Sequence, residues 1–317
     1  MVIIEDKRVL AREYADVSKA FAASGELPTA KDLAELAVDR SLVRDIVSHK
    51  CEVFPSVRAF PVPGENRSVS YVTYNLRYVG AESLNLHYVG DEGASRTEEL
   101  KPGCDLASLT FMKTTLFPND LTDRLLEMHS SGVQQSELYA SFKSFFQKAG
   151  RSIPTFADVL VGSVRRDYAH QTISSADSMF RDENLFFLMM QADEYTRGMG
   201  VPSMLFGAAF DSQHREGCKY ALAYTRMARF AERTKRRAAS AEESWDYFDK
   251  VRNNGWEDWS MKFHVNAGAD MLFALPNIAG DTESRNAGAL AVYKIDDLFA
   301  SGKLKRPEIR MQAVGGG

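Results

Sequence analysis

The sequence predicts an α+β chain: a helix-rich body with an N-terminal helical arm, a projecting β-hairpin arm and late C-terminal strands. Three observations lead there. Apolar residues recur at helical spacing near the start and through the middle of the chain. A dense β-branched and aromatic stretch begins at Ser68. Helices and strands follow one another in blocks, without the regular βαβα beat of a doubly wound sheet. The segments expected are 1–50 for the helical arm, 51–117 for the β arm and 118–317 for the body.

Leu10, Tyr14, Val17 and Phe21 fall at i, i+4, i+7 and i+11 on one helical face, and Gly25 and Pro28 end that helix. Thr29 can cap a second helix carrying Leu33, Leu36, Val43 and Val47 on one stripe. Prolines 55, 61 and 63 mark an extended stretch. Ser68–Val79 then alternates through Val72, Tyr74, Leu76 and Tyr78, and Leu84–Val89 follows Gly80, so the two read as a hairpin. The polar run Asp91–Gly103 reads as a loop, and Ala107–Leu116 as a returning strand. A helix through Leu121, Leu125 and Met128 ends at Gly132, and Phe142, Phe145 and Phe146 mark another. Leu185, Leu188 and Met189 suggest a further helix ending at Gly198 and Gly200. Tyr220–Arg237 reads as the best single helix, Ala-rich and free of Gly and Pro. Leu290–Ile295 and Glu308–Val314 look like the late strands.

Composition narrows the class. At 317 residues, 44% hydrophobic and 26% charged, the chain has enough apolar material for a real core and is neither collagen-like nor disordered. A net charge of −4 gives no overall pull towards nucleic acid or an anionic membrane. The longest apolar runs, such as Leu185–Met190, fall far short of the about 20 residues that span a bilayer. Cysteines 51, 104 and 218 are odd in number and widely spaced, which suits a reducing compartment. The first residues turn charged at once, unlike a secretory signal. Synthesis in a host cytoplasm, without secretion or a membrane partner, is the expectation.

Sequence signatures of phosphate binding and of common catalytic sites are absent. Neither G-x-x-x-x-G-K-[ST] nor a strand-following G-x-G-x-x-G occurs, and G-x-S-x-G, H-E-x-x-H and C-x-x-C are missing too. Gly198-Met-Gly200 comes nearest, but as the end of a helix it is the wrong terminus for an anion. Trp256-Glu-Asp-Trp259 reads as a helix edge with half-buried indoles. Asp211, His214 and Cys218 stand at i, i+3 and i+7, so on a helix they would face one way and could hold a soft metal or pair a thiolate with an imidazole. The simpler reading has Asp211 capping, His214 at the surface and Cys218 filling a core gap. No catalytic residue, metal ligand or cofactor is assigned on this evidence.

Charge is patterned around the same place. Arg215–Arg237 holds eight basic residues and two acids. Arg226, Arg229, Arg233 and Arg237 fall at i, i+3, i+7 and i+11, with Arg236 beside them, which on a helix makes a straight basic stripe. Such a ladder suits the phosphate backbone of a nucleic acid without reading its sequence. Acids close behind it, Glu242, Glu243, Asp246 and Asp249, offer the alternative of ion pairing.

A helical arm at Val9–Ala22, an extended loop opening at Arg67-Ser-Val-Ser-Tyr-Val-Thr-Tyr and returning through Leu109-Thr-Phe-Met, and a helix-rich body including Glu183-Asn-Leu-Phe-Phe together resemble, in order and length, the tailed-bacteriophage major capsid protein family. The resemblance implies a self-assembling coat subunit of a virion, partnered with copies of itself around nucleic acid and without catalytic residues. Two other readings stand beside it. One is an RNA-binding nucleoprotein or filamentous coat that uses the Arg226–Arg237 stripe. The other is a cytosolic enzyme with an Asp211/His214/Cys218 site.

Overall fold

The computed structural model describes residues 44–61, 68–89, 95–114, 116–156, 158–159, 184–196, 199–234, 240–253, 255–278 and 284–306. Strands and helices alternate irregularly. In chain order they are β1 (Cys51–Pro61), β2 (Ser68–Tyr78), β3 (Leu84–Val89), β4 (Ser95–Leu100), β5 (Asp105–Thr114), α1 (Asn119–Ser130), α2 (Gln135–Lys148) and β6 (Asn184–Ala192). Then come α3 (Val201–Arg215), β7 (Tyr220–Arg226), α4 (Phe230–Arg233), α5 (Ala241–Arg252), α6 (Trp259–Asn266), β8 (Asp270–Leu275), β9 (Gly288–Lys294) and α7 (Ile295–Ala300). The class is α+β, as predicted. Among the described residues no helix is long and apolar enough to cross a membrane.

Seven strands form one mixed sheet in the order β1-β2-β5-β6-β7-β9-β8, and β3 and β4 make a separate two-stranded sheet. This corrects the expected hairpin arm. β2 does not pair with β3; it lies between β1 and β5. β3 instead pairs antiparallel with β4, Leu84 opposite Leu100 and Val89 opposite Ser95, inside the run read as a loop. The sequence Ser-Arg-Thr-Glu-Glu-Leu is polar because four of its residues, 96–99, are exposed, so its strand character leaves little apolar alternation to read. The predicted helices at 10–21 and the strand at 308–314 lie outside the described residues, while 44–49 is helical.

Two compact units divide the chain. One comprises the described residues within Met1–Ser56, Thr73–Leu109 and Met190–Leu205; the other comprises those within Val57–Val72, Thr110–Met189 and Phe206–Gly317. In the first, Tyr74, Leu76, Tyr78, Leu86, Leu100 and Leu106 are buried. Arg77 binds Asp105 through Nε at 2.8 Å and covers the Phe54 ring. Gly80 has no room for a β-carbon, which would stand 2.0 Å from the Tyr78 hydroxyl, itself donating to the Glu82 carbonyl.

In the second unit β7 and β9 pair antiparallel over seven residues, Tyr220 opposite Lys294 to Arg226 opposite Gly288, and β8 lies on the other side of β9. The two sheet faces carry side chains of different size. Leu222, Tyr224, Leu290, Val292 and Phe273 meet Phe117, Leu121, Phe142 and Phe146 of the segment before and within α1 and α2 in one apolar cluster. On the other face Ala221, Ala223 and Ala291 leave space for the α3 rings Phe206 and Phe210, which pack on Tyr293 at centroid distances of 5.3 and 5.4 Å. Alanine is therefore common in β7 because a helix lies close over the sheet. The same alanines make Tyr220–Arg226 look helical in sequence, and packing overrides propensity here.

Candidate functional site

The face expected at Asp211, His214 and Cys218 does not converge. Asp211 sits inside α3 and is fully buried, not capping the helix; its Oδ2 takes a 2.6 Å bond from Arg215 and its Oδ1 lies 3.3 Å from Nη1 of Arg306. His214 turns elsewhere, with Nε2 2.7 Å from Oδ1 of Asp296. Cys218 lies past the helix end, after Gly217 in the left-handed region, and its main-chain N–H returns to the Gln213 carbonyl. Burial raises its thiol pKa, so it carries no standing thiolate. No group of three His, Cys, Asp or Glu able to hold a metal occurs among the described residues. These three residues fasten α3 to its surroundings.

The basic stripe is not formed either, because the single helix that would carry it is a strand, a turn and one helical turn. Arg226 ends β7 and stacks over Trp259 at 4.9 Å. Arg229 precedes α4, giving its main-chain N–H to Asp258 and its guanidinium to Glu232 at 3.9 Å. Arg233 ends α4 and stacks over Trp256 at 5.1 Å. Arg236 and Arg237 lie outside the described residues. Asp258 organises this corner: its carboxylate is buried and accepts from the Tyr247 hydroxyl at 2.7 Å and from the N–H groups of Arg229, Ser260 and Met261, so it caps α6 while anchoring α5.

Leu185–Met190 belongs to a strand. All six residues are apolar although burial falls from Leu185 and Phe186 to an exposed Met189, so the run has no period by which to tell strand from helix. In consequence Gly200, at φ +74°, stands before α3 and not after a helix, and Pro202 occupies the first turn of α3, where its missing N–H costs nothing. The order β6, glycine turn, α3, β7 is a βαβ crossover, and β6 and β7 are parallel. Pro202 two residues after Gly200 was the sequence signal for this helix start.

The parallel pairing is short. It covers Leu185 opposite Ala221, Phe186 opposite Leu222 and Phe187 opposite Ala223, and stops. Leu188 and Met189 continue β6, while Tyr224, Thr225 and Arg226 continue β7 and pair with β9 alone among the described strands. The sheet thus opens at a point internal to it, beyond the C-terminal side of a parallel pair, where open α/β sheets place ligands.

Tyr224 stands at that opening, one residue past the last parallel pair. Its ring meets Phe186 edge-on at 5.1 Å and Phe117 at 5.8 Å. Its hydroxyl is buried and has no hydrogen-bond partner among the described residues. Burial first, and the Asp158 carboxylate second, push its pKa well above that of free tyrosine, so the phenol stays protonated. Asp158 is exposed, and its Oδ2 accepts from both the N–H and the hydroxyl of Thr155, at 2.9 and 2.7 Å, while its Oδ1 has no hydrogen-bond donor among the described residues. Neither residue carries a motif in the sequence.

No family model matches this chain, and no curated protein matches it. Among solved structures it is similar to a putative arylalkylamine N-acetyltransferase 7 of the yellow fever mosquito, with 9% identity over 77% of this chain and 96% of that one, at a TM-score of 0.27. The expectation of a non-catalytic coat or capsid subunit is corrected: β2, read as one limb of a projecting arm, lies between β1 and β5 in the main sheet, and Leu185–Met190, read as part of the helix-rich body, is a strand.

Proposed function

We propose that this chain is a group-transfer enzyme that seats an extended, amide-bearing carrier between the parted edges of β6 and β7 and passes its terminal group to an acceptor beside Tyr224. The observation that carries this reading is the end of β6–β7 pairing after Phe187 and Ala223. Main-chain N–H and C=O groups at Leu188–Met189 and Tyr224–Thr225 then border an opening inside a sheet, where a ligand with amides of its own can add as a strand does. The chemistry assigned is acyl transfer from a thioester to an amine. Asp158 Oδ1 takes the proton of the amine, the nitrogen forms the new C–N bond, and the C–S bond breaks to a thiolate that receives the released proton. Tyr224 keeps its own proton and gives a hydrogen bond to the oxygen or sulfur on which charge develops.

Acetyl-coenzyme A is the probe, because it joins an extended two-amide arm to a thioester, and tryptamine is the first acceptor to offer, an arylalkylamine being what the insect protein's name specifies. Calorimetry should give saturable binding of acetyl-coenzyme A, and a thiol assay should give protein-dependent release of coenzyme A that needs the amine. Absence of binding at millimolar acetyl-coenzyme A would sink the reading. Binding without release to any of a panel of primary amines would sink the assignment to amine acylation.

A further inference from the structure

We propose that the hollow beside Trp256 is a binding site for a small oxyanion, a phosphate or compact carboxylate, independent of the opening at β6 and β7. The hollow, about 320 Å³ and partly open to solvent, lies between the end of α4 and the side of α5, with Trp256 and Tyr247 as its aromatic wall. Arg233 and Lys250 both lie over the Trp256 ring, 5.1 and 4.7 Å from its centroid. Tyr247 packs on that ring at 5.5 Å and is fixed from behind by Asp258. The ring, held in this way, places two cations at one mouth.

Of the two cations, Lys250 is paired with Asp246 at the rim of the hollow, and Arg233 is not paired with a carboxylate among the described residues. Arg233 has no carboxylate within ion-pair distance among the described residues, and nor does Arg285, whose guanidinium donates to the Thr234 hydroxyl at 3.0 Å and the Ala231 carbonyl at 3.4 Å. Thr234 lines the hollow, so Arg285 adds its field from behind that wall. The two lining acids are engaged. Glu243 closes the capping box of α5 with Ser240, and Asp246 holds Lys250 at 2.6 Å. The latter pair is largely exposed, and such pairs contribute little, so an entering oxyanion can draw Lys250 from it. Arg233 then supplies a planar fork matched to two oxygens, with Lys250 as the second cation.

Titration calorimetry at low ionic strength, with inorganic phosphate in one arm and succinate in the other, tests the site and distinguishes its two chemistries. One saturable site for either anion is expected, weakened at least tenfold in Arg233→Gln and several-fold in Lys250→Gln. Should Arg233→Gln fail to fold, Arg233→Lys keeps the charge and removes the fork, and the same tenfold weakening is expected for it. No saturable binding of either anion, or equal affinity in the wild type and the folded Arg233 variant, overturns the proposal. Acetyl-coenzyme A binding in these variants reads out separately, so failure here leaves the transfer reading untouched.

Discussion

Arg306 brings its Nη1 to 3.3 Å from Oδ1 of Asp211, and Arg215 holds the other oxygen of the same carboxylate from one turn along α3. The arginines are half exposed and the aspartate is not exposed at all. Removing different partners therefore has unequal consequences. Asp211→Asn releases two arginines that water can solvate and should cost about 1–2 kcal/mol. Arg215→Ala with Arg306→Ala leaves a carboxylate buried without a cation and should cost about 3 kcal/mol or more. Urea unfolding of the two variants checks the order; a larger loss in Asp211→Asn would show that the carboxylate is not the costly member.

The segment that delivers Arg306 crosses α3 at Gly207, where an added β-carbon would stand 2.6 Å from the Lys305 carbonyl oxygen. Alanine in a helix interior normally stabilises by about 1 kcal/mol over glycine. At this position Gly207→Ala should destabilise by about 1–3 kcal/mol, since backbone and not a flexible side chain must move. A rise in thermal midpoint for Gly207→Ala would show that the crossing segment yields easily.

What could be read from the sequence depended on how each residue's surroundings are built. The α+β class was legible because blocks of helical and β-rich texture survive averaging over the chain. The helix through Leu121 and Leu125 was legible because one of its faces is wet. β6 was misread because Leu185–Met190 is an unbroken apolar run, and β7 because it is buried on two faces, where Ala221 and Ala223 reflect the nearness of Phe206 and Phe210 and not a preference of their own. That error carried the Arg226–Arg237 stripe with it. It also placed Gly200 at the wrong end of a helix, though Pro202 marked the right one. Tyr224 and Asp158 were beyond reach, since an unpaired hydroxyl is a property of surroundings that no local spacing encodes.

His264 gives the fold a dependence on acid. It is buried against Phe187 and Phe263, with Nδ1 2.6 Å from the Tyr293 hydroxyl, and burial lowers its pKa to about 3. Unfolded, the same imidazole titrates near 6.5. Between those values the unfolded chain binds a proton that the folded chain refuses, so stability is lost as pH falls from about 6.5 towards 3, at up to about 1.4 kcal/mol per pH unit. His264→Gln keeps a polar partner for Tyr293 without the titration. The stability difference between wild type and variant should be constant above pH 7 and shift towards the variant on acidification. A difference that stays flat between pH 6.5 and 4 would mean that His264 is protonated in the folded protein.

Tyr224→Phe separates stability from activity. The hydroxyl is buried and unpaired, so its removal takes away a desolvated polar group and loses no bond within the described residues. The variant should unfold at the same urea concentration as wild type or a higher one, by up to about 1 kcal/mol. If the hydroxyl gives its hydrogen bond to the group being transferred, the same change should lower kcat for acetyl transfer about tenfold to a hundredfold, with acetyl-coenzyme A affinity nearly unchanged. Asp158→Asn should also lower kcat at least tenfold with acetyl-coenzyme A affinity nearly unchanged, because it removes the proton acceptor and leaves the hydrogen bond in place. A Tyr224→Phe protein that is less stable and fully active would show that the hydroxyl has a structural partner and no part in the reaction.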